Sequence, residues 1–119
     1  MADEGCTLVE LQDRVARFNL DRDWSQFHNP RNLAMAVSVE ASELLELFLW
    51  SRDDGPQPPV ASRDPQVAHE MADVLICLLS LAERMNVDLA SAVQTKLQLN
   101  ALKYPVEKAK GRMEKSDEL

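Results

Sequence analysis

Residues 69–82 read HEMADVLICLLSLA. The run is apolar almost throughout, yet it opens with two acids, Glu70 and Asp73. Ionised carboxylates are rarely buried without a partner. At about 100° per residue, Glu70, Asp73, Cys77, Ser80 and Arg84 share one narrow helical face, and nearly everything else from Met71 to Met85 is apolar. A surface helix is apolar over one stripe only. This one is apolar around most of its circumference, so it belongs inside a helical assembly, and the chain reads as all-α.

Working outward, Asp64-Pro65 is a helix start, and the helix is predicted from Pro65 to Met85, with Asn86 closing it. Asp88 caps the next helix, Leu89 to Lys103, which Tyr104-Pro105 ends. Upstream, residues 51–65, SRDDGPQPPVASRDP, hold Gly55 and four prolines and form a loop. Before it a helix is predicted from Arg31 to Trp50, apolar in most directions through Leu33, Met35, Val37, Val39, Leu44, Leu45, Phe48 and Leu49. The first helix, Leu8–Leu20, carries Leu8, Leu11, Val15 and Phe18 on one face and Thr7 as its N-cap. Residues 22–32, RDWSQFHNPRN, make an irregular connection rich in aromatics. The tail after Pro105 is highly charged and is expected to fray. No strand alternation and no solenoid repeat appears.

The expectation is a four-helix bundle-like protomer. Four helices cannot cover two that are apolar on most sides, so the missing cover is another copy of the chain, in an oligomeric helical bundle. With 119 residues the chain is one domain that needs no disulfide. Its formal charge of −7 argues against binding a nucleic-acid polymer, and any anionic substrate then needs a local positive charge. Cys6 and Cys77 fit neither a metal nor a redox spacing and read as reduced thiols. The opening MADEGCTLVE is acidic and lacks the apolar core of a leader, and the apolar run is broken by acids and too short to span a bilayer. A cytoplasmic protein with no membrane partner is expected, and the closing SDEL is a chance likeness to a retention signal.

The other apolar helix has acids of its own. VEASELLELFLW places Glu40 and Glu43 three apart, on neighbouring positions of one face. With Glu70 and Asp73, the chain has E-x-x-E on one helix and E-x-x-D on another, separated by a loop long enough to let them pack antiparallel. Four carboxylates at an apolar place raise each other's pKa, so they hold protons or are neutralised by cations. All-oxygen, anionic ligation favours Mg²⁺ first and Mn²⁺ second, and Mg²⁺ is commonly shared with substrate phosphates. The bland reading is a buried ionic network. A di-iron bundle would want Glu-x-x-His, and His69 is next to Glu70, not three residues after a Glu.

E-x-x-E, a Pro-rich loop and E-x-x-D together resemble the signature of the MazG-like all-α nucleoside triphosphate pyrophosphohydrolases. The flanks RDWSQFHNPRNLAMAVSVEASELLELFLW, HEMADVLICLL and VDLASAVQTKLQLNALKYPVEKAKG are similar to the short single-domain branch that includes the dCTP pyrophosphatases. The likeness covers residues 8–112, which places the catalytic domain at residues 1–112 and a charged tail at 113–119. It implies Mg²⁺-dependent cleavage of (deoxy)nucleoside triphosphates, with dCTP or modified pyrimidine nucleotides foremost, to monophosphate and pyrophosphate, in nucleotide-pool sanitation. It implies Glu40, Glu43, Glu70 and Asp73 as metal ligands, with one of them, Glu43 being a candidate, taking the attacking water's proton. It also implies substrate contacts by His28, Lys96, Asn100, Lys103 and Tyr104, and base contacts by Trp24 and Trp50. A tetramer is the assembly implied, with a dimer as the alternative.

Each of these flanking residues has a plainer reading. Trp50 ends an apolar helix and fits a core; Trp24 beside Phe27 and His28 fits a loop anchor. His28 fits a backbone contact, and Lys96 and Lys103 fit solvated surface charges. Arg84 fits either a pair with Asp73 or a phosphate contact. The chain also departs from the animal members of the branch: Val15 stands where they have His, Cys77 where they commonly have Tyr, and Ser42 where Gly is usual. The first two changes alter pocket walls and so bear on base selectivity. A protein of another class, a non-catalytic oligomeric helical module that binds nucleotide or metal, is the rival reading, and the intact acids favour the enzyme.

Overall fold

The computed structural model describes residues 5–49 and 65–119. These are helical and carry no strand, as the sequence requires. Contacts divide the chain into two units, Met1–Val87 and Asp88–Leu119.

The first unit holds α1 (Leu8–Asp21), α2 (Pro30–Glu46) and α3 (Pro65–Arg84). Thr7 caps α1, its hydroxyl accepting from the Glu10 amide at 3.1 Å. Asn29 caps α2 in the same way through the Asn32 amide at 2.8 Å, with Pro30 in the first turn, where its missing N–H costs nothing. The predicted Arg31–Trp50 helix is therefore one residue longer at its start and shorter at its end. After Glu46 the backbone tightens into i→i−3 bonds, Leu47 to Leu44 (3.2 Å), Phe48 to Leu45 (2.9 Å) and Leu49 to Glu46 (3.2 Å). Trp50, the Pro-rich loop and the Asp64 cap lie outside the described residues.

Both α1 and α3 end in the same stop. Asp23 and Asn86 take left-handed φ of 53° and 59°. At α1 the Trp24 amide reaches back to Asn19 O (3.0 Å) and the Asp23 amide to Leu20 O (3.0 Å); at α3 the Val87 amide reaches Ala82 O (2.8 Å) and the Asn86 amide Glu83 O (3.3 Å). This double bond pattern satisfies carbonyls left open at a helix end. It also aims Trp24 back onto Phe18, ring centroids 5.8 Å apart at 71°, edge to face. The Arg22 guanidinium lies 3.6 Å from the Phe18 centroid, so the RDW stretch is a stacked corner closing α1.

The main packing is α2 on α3, with α1 also against α3. Among the described residues, the fully buried apolar side chains are Leu33, Leu79 and Ala82. Large apolar side chains stay open on both central helices: Met35, Val39 and Leu45 on α2, Met71, Leu75 and Ile76 on α3. Two buried polar side chains tie α1 to α3: Asn19 Nδ2 donates to Ser80 Oγ at 2.9 Å. Gln12 Nε2 adds a bond to Val87 O at 3.1 Å. By length and composition α3 is long and apolar enough to cross a membrane, contrary to the expectation that the acids in it shorten the run too far. It carries acids at its head and packs along α2.

The second unit holds α4 (Leu89–Lys103) and α5 (Val106–Ala109). Asp88 caps α4, accepting from the Ser91 amide at 3.2 Å and the Ser91 hydroxyl at 3.0 Å. Tyr104 closes it, its amide bonding Asn100 O at 2.8 Å. No residue of α4 is buried, and Leu97 and Leu102 are 63% and 80% exposed. Beyond α5, where fraying was expected, a 3₁₀ turn forms at Ser116–Glu118 and Arg112 pairs with Glu114 at 3.3 Å.

Candidate metal centre

The E-x-x-E spacing sets Glu40 and Glu43 on one face of α2, and the packing of α2 on α3 brings Glu70 to them. One carboxylate oxygen from each of the three lies within 4.8 Å of the others. Asp73, the fourth predicted ligand, is not in this group. It is exposed, and its charge still acts on both Glu40 and Glu70.

Glu40 and Glu70 are half-buried, and Oε2 of each is sealed from solvent with no hydrogen-bond partner. Such atoms are costly to bury. Burial pushes the Glu40 carboxyl above its ordinary value, and the side-chain contact with Glu43 and the charges of Glu43, Asp73 and Glu70 push it further. Glu70 is raised first by burial, then by the charges of Glu43 and Asp73 and the side-chain contact with Glu43; His69 opposes the shift. Burial also raises the Cys77 thiol, with Glu40 and Asp73 adding to it, so this cysteine is not an activated nucleophile. Three converging carboxylates with two unpartnered oxygens are an oxygen-donor set that fits a divalent cation.

The remaining predicted site residues are dispersed over the two units. Trp24 stacks on Phe18 and stands 6.0 Å from the half-buried His28 ring. The His28 backbone amide bonds Ser25 O at 3.3 Å, a turn contact that leaves the ring's role open to test. His28 and Arg84 line a cavity of about 520 Å³ between α1 and α3, away from the acids. Among the described residues Arg84 makes no ion pair with Asp73. In the second unit, Lys96, Asn100 and Lys103 follow one another at helical spacing along one face of α4, with Tyr104 at its end. Sequence reasoning missed Asn19. Its signal was a polar residue on a helix turn next to Val15 and Phe18, but nothing local named Ser80 as its partner.

Among the described residues, the two central helices pool carboxylates around one point. The chain belongs to the MazG-like family, whose profile matches residues 35–119. It is 43% identical to dCTP pyrophosphatase 1 of Homo sapiens over 115 residues, covering 95% of this chain and 68% of that one. The Bos taurus dCTP pyrophosphatase 1 gives 43% over 107 residues, 88% of this chain and 63% of the other. The chain thus spans about two thirds of the length of these relatives. A crystal structure of a pyrophosphatase from Archaeoglobus fulgidus superimposes with a TM-score of 0.75 at 37% identity, over 88% of this chain and 98% of that one.

Proposed function

We propose that the protein hydrolyses deoxynucleoside triphosphates, with dCTP or modified pyrimidine dNTPs as substrates, to the monophosphate and pyrophosphate, and so cleans the nucleotide pool of the cytoplasm. The observation that carries this reading is the group of Glu40, Glu43 and Glu70 with its two orphaned buried oxygens. The likeness to proteins named dCTP pyrophosphatase supplies the substrate class.

Glu40, Glu43, Glu70 and Asp73 would hold Mg²⁺, for which Mn²⁺ is the natural substitute. When bound, the metal supplies positive charge for phosphate oxygens and makes a bound water more acidic. Glu43, the exposed member of the close group, is assigned the proton of the attacking water. Lys96 and Lys103 are assigned to phosphate as point charges, and Asn100 and Tyr104 to polar nucleotide contacts. Trp24 and Trp50 are assigned to the base.

The protein acts as a homo-oligomer, a tetramer before a dimer. The open apolar side chains of α2, α3 and α4 support this, since exposed apolar surface on this scale marks an interaction face. A monomer at micromolar concentration by light scattering would overturn that part.

The deciding experiment incubates purified protein with each dNTP and NTP, with Mg²⁺ and with EDTA, and separates the products by chromatography. Monophosphate plus pyrophosphate with metal only is the expected result. Diphosphate plus phosphate, or no product from any nucleotide, overturns the proposal.

A further inference from the structure

Asn19 is held at both ends. Its carbonyl, in the last turn of α1, accepts the Trp24 amide at 3.0 Å and the Arg22 amide at 3.3 Å, so the backbone of the RDW corner hangs from this one residue. Its side chain crosses to α3, where Nδ2 donates to Ser80 Oγ at 2.9 Å. The Ser80 hydroxyl gives its single hydrogen to Ile76 O at 2.9 Å, so its oxygen is left to accept from Asn19 and the bond has one sense.

Two features set this link apart. It is buried, Asn19 and Ser80 being 9% and 4% exposed. A hydrogen bond shielded from water is stronger, and breaking it strands a polar group. The corner it holds has no comparable apolar anchor: Phe18 and Trp24 stack edge to face, yet stay 44% and 42% exposed. The stack and the Arg22 guanidinium fix the corner to the end of α1. Among the described residues, the side-chain hydrogen bond that fixes this end of α1 to α3 is that of Asn19. The other polar tie from α1, Gln12 Nε2 to Val87 O, lies about two turns earlier in the helix.

The helix at the far side of the link also carries Glu70 and Asp73. It is unbroken from Pro65 to Arg84, and Asp73 and Ser80 lie on one face about 10 Å apart along its axis. The path from the acids to Trp24 therefore runs along a rigid helix, through one buried hydrogen bond, and into the Trp24 amide.

We propose that Asn19 is a positioning residue: seated on Ser80, it sets the place of Trp24 relative to the acids of α3, without touching substrate itself. This rests on the assignment of Trp24 to the base in the hydrolase reading above. A ring on an open corner can stack on a base only if its distance from the phosphate-binding end of the site is fixed beforehand, since any ordering left to the moment of binding weakens it.

The test measures KM and kcat for dCTP, and the Mg²⁺ concentration giving half the maximal rate, in the wild type, Ser80→Ala, Asn19→Ala and Gln12→Ala. Ser80→Ala and Asn19→Ala should each raise KM about fivefold or more, the low end of what stacking one base on an aromatic ring is worth. Their kcat and half-saturating Mg²⁺ should stay within about twofold of the wild type, the pattern of lost uniform binding. Gln12→Ala, which cuts the tie remote from Trp24, should leave KM unchanged. In a Trp24→Ala background, Ser80→Ala should add no further rise, because the two act as one unit.

A Ser80→Ala protein with wild-type KM and a lowered Tm would show the bond to be a tie between helices only, and would overturn the proposal. So would an equal rise in Gln12→Ala, a fall in kcat without a change in KM, or a rise that persists in the Trp24→Ala background. If Trp24→Ala itself leaves KM unchanged, the base assignment and this proposal fail together while the hydrolase reading stands. A wild type that hydrolyses no nucleotide overturns that reading and this one with it. Should Asn19→Ala fail to fold, Ser80→Ala decides, since it removes one hydroxyl and places a good helix former in a helix.

Discussion

Glu40 on α2 and Glu70 on α3 each bury one carboxylate oxygen without a hydrogen-bond partner, and one carboxylate oxygen from each, with one from Glu43, lies within 4.8 Å of the others. Such a pair is destabilising unless a proton or a cation comes between them. Glu40→Gln and Glu70→Gln should therefore separate function from stability. Loss of a mere outer-shell partner of a metal commonly costs about 10–100-fold in activity. Each substitution of a ligand should lower kcat/KM by more than that. In EDTA both variants should melt above the wild type, since a like charge has gone, and Mg²⁺ should raise their Tm less than it raises the wild type's. Wild-type rates in either variant would show the acids to be structural only.

The same two groups set a pH dependence for the metal-free protein. Their native carboxyls titrate above the ordinary 4.5, so above that value the native state binds more protons than the unfolded chain. Stability then falls as pH rises. Their contribution is complete below the ordinary value and is lost as pH climbs through the raised native values. The Tm deficit of the wild type against Glu40→Gln, measured in EDTA from about pH 4 to 8, should widen with pH. Mg²⁺ should reverse the trend, because it binds the deprotonated acids and gains affinity as they ionise. A deficit that stays constant across the range would show that Glu40 is not strained.

Much of this was legible in the chain because helix ends are local chemistry. Thr7 and Asp88 announce their helices through side-chain oxygens that reach three residues on, Asn29 does the same from within the stretch expected to be irregular, and Asn86 announces a stop through a left-handed φ it tolerates. The end of α2 was not legible, since Leu47, Phe48 and Leu49 continue the apolar pattern while their amides have already shifted to i−3 partners. At the site, spacing alone placed the acids on two faces, and three of them meet. Periodicity specifies a face but not the rotation of one helix against another, which is why Asp73 falls outside the close group. Asn19 and Ser80 meet across 61 residues of sequence, a distance no local pattern spans.

Leu79 is the tightest apolar point of the first unit, 1% exposed on α3. Leu79→Ala should cost about 2–5 kcal/mol, the usual range for removing a buried leucine where neighbours relax only partly. Urea unfolding followed by far-ultraviolet circular dichroism measures it. Leu102→Ala on α4, 80% exposed here, serves as the contrast. In an isolated protomer it costs almost nothing, whereas a loss of more than about 1 kcal/mol, dependent on protein concentration, would locate Leu102 in a subunit contact.

Asn86 closes α3 with a φ of 59°, and its amide and that of Val87 satisfy the last carbonyls of the helix. Asparagine visits this region more readily than other residues with a Cβ, but glycine does so with no steric cost. Asn86→Gly should leave stability nearly unchanged, the relief of strain offsetting the freedom gained by the unfolded chain. Asn86→Ala should lose about 1 kcal/mol, and a β-branched residue more, because the left-handed conformation crowds Cβ against the carbonyl. The ordering Gly, then Ala, then Val in urea midpoint tests the conformation itself. Val87 also accepts the Gln12 side chain at its carbonyl, so a stop that failed to form would loosen α1 along with α3. Equal midpoints for Gly and Val would mean that this residue is not left-handed in solution.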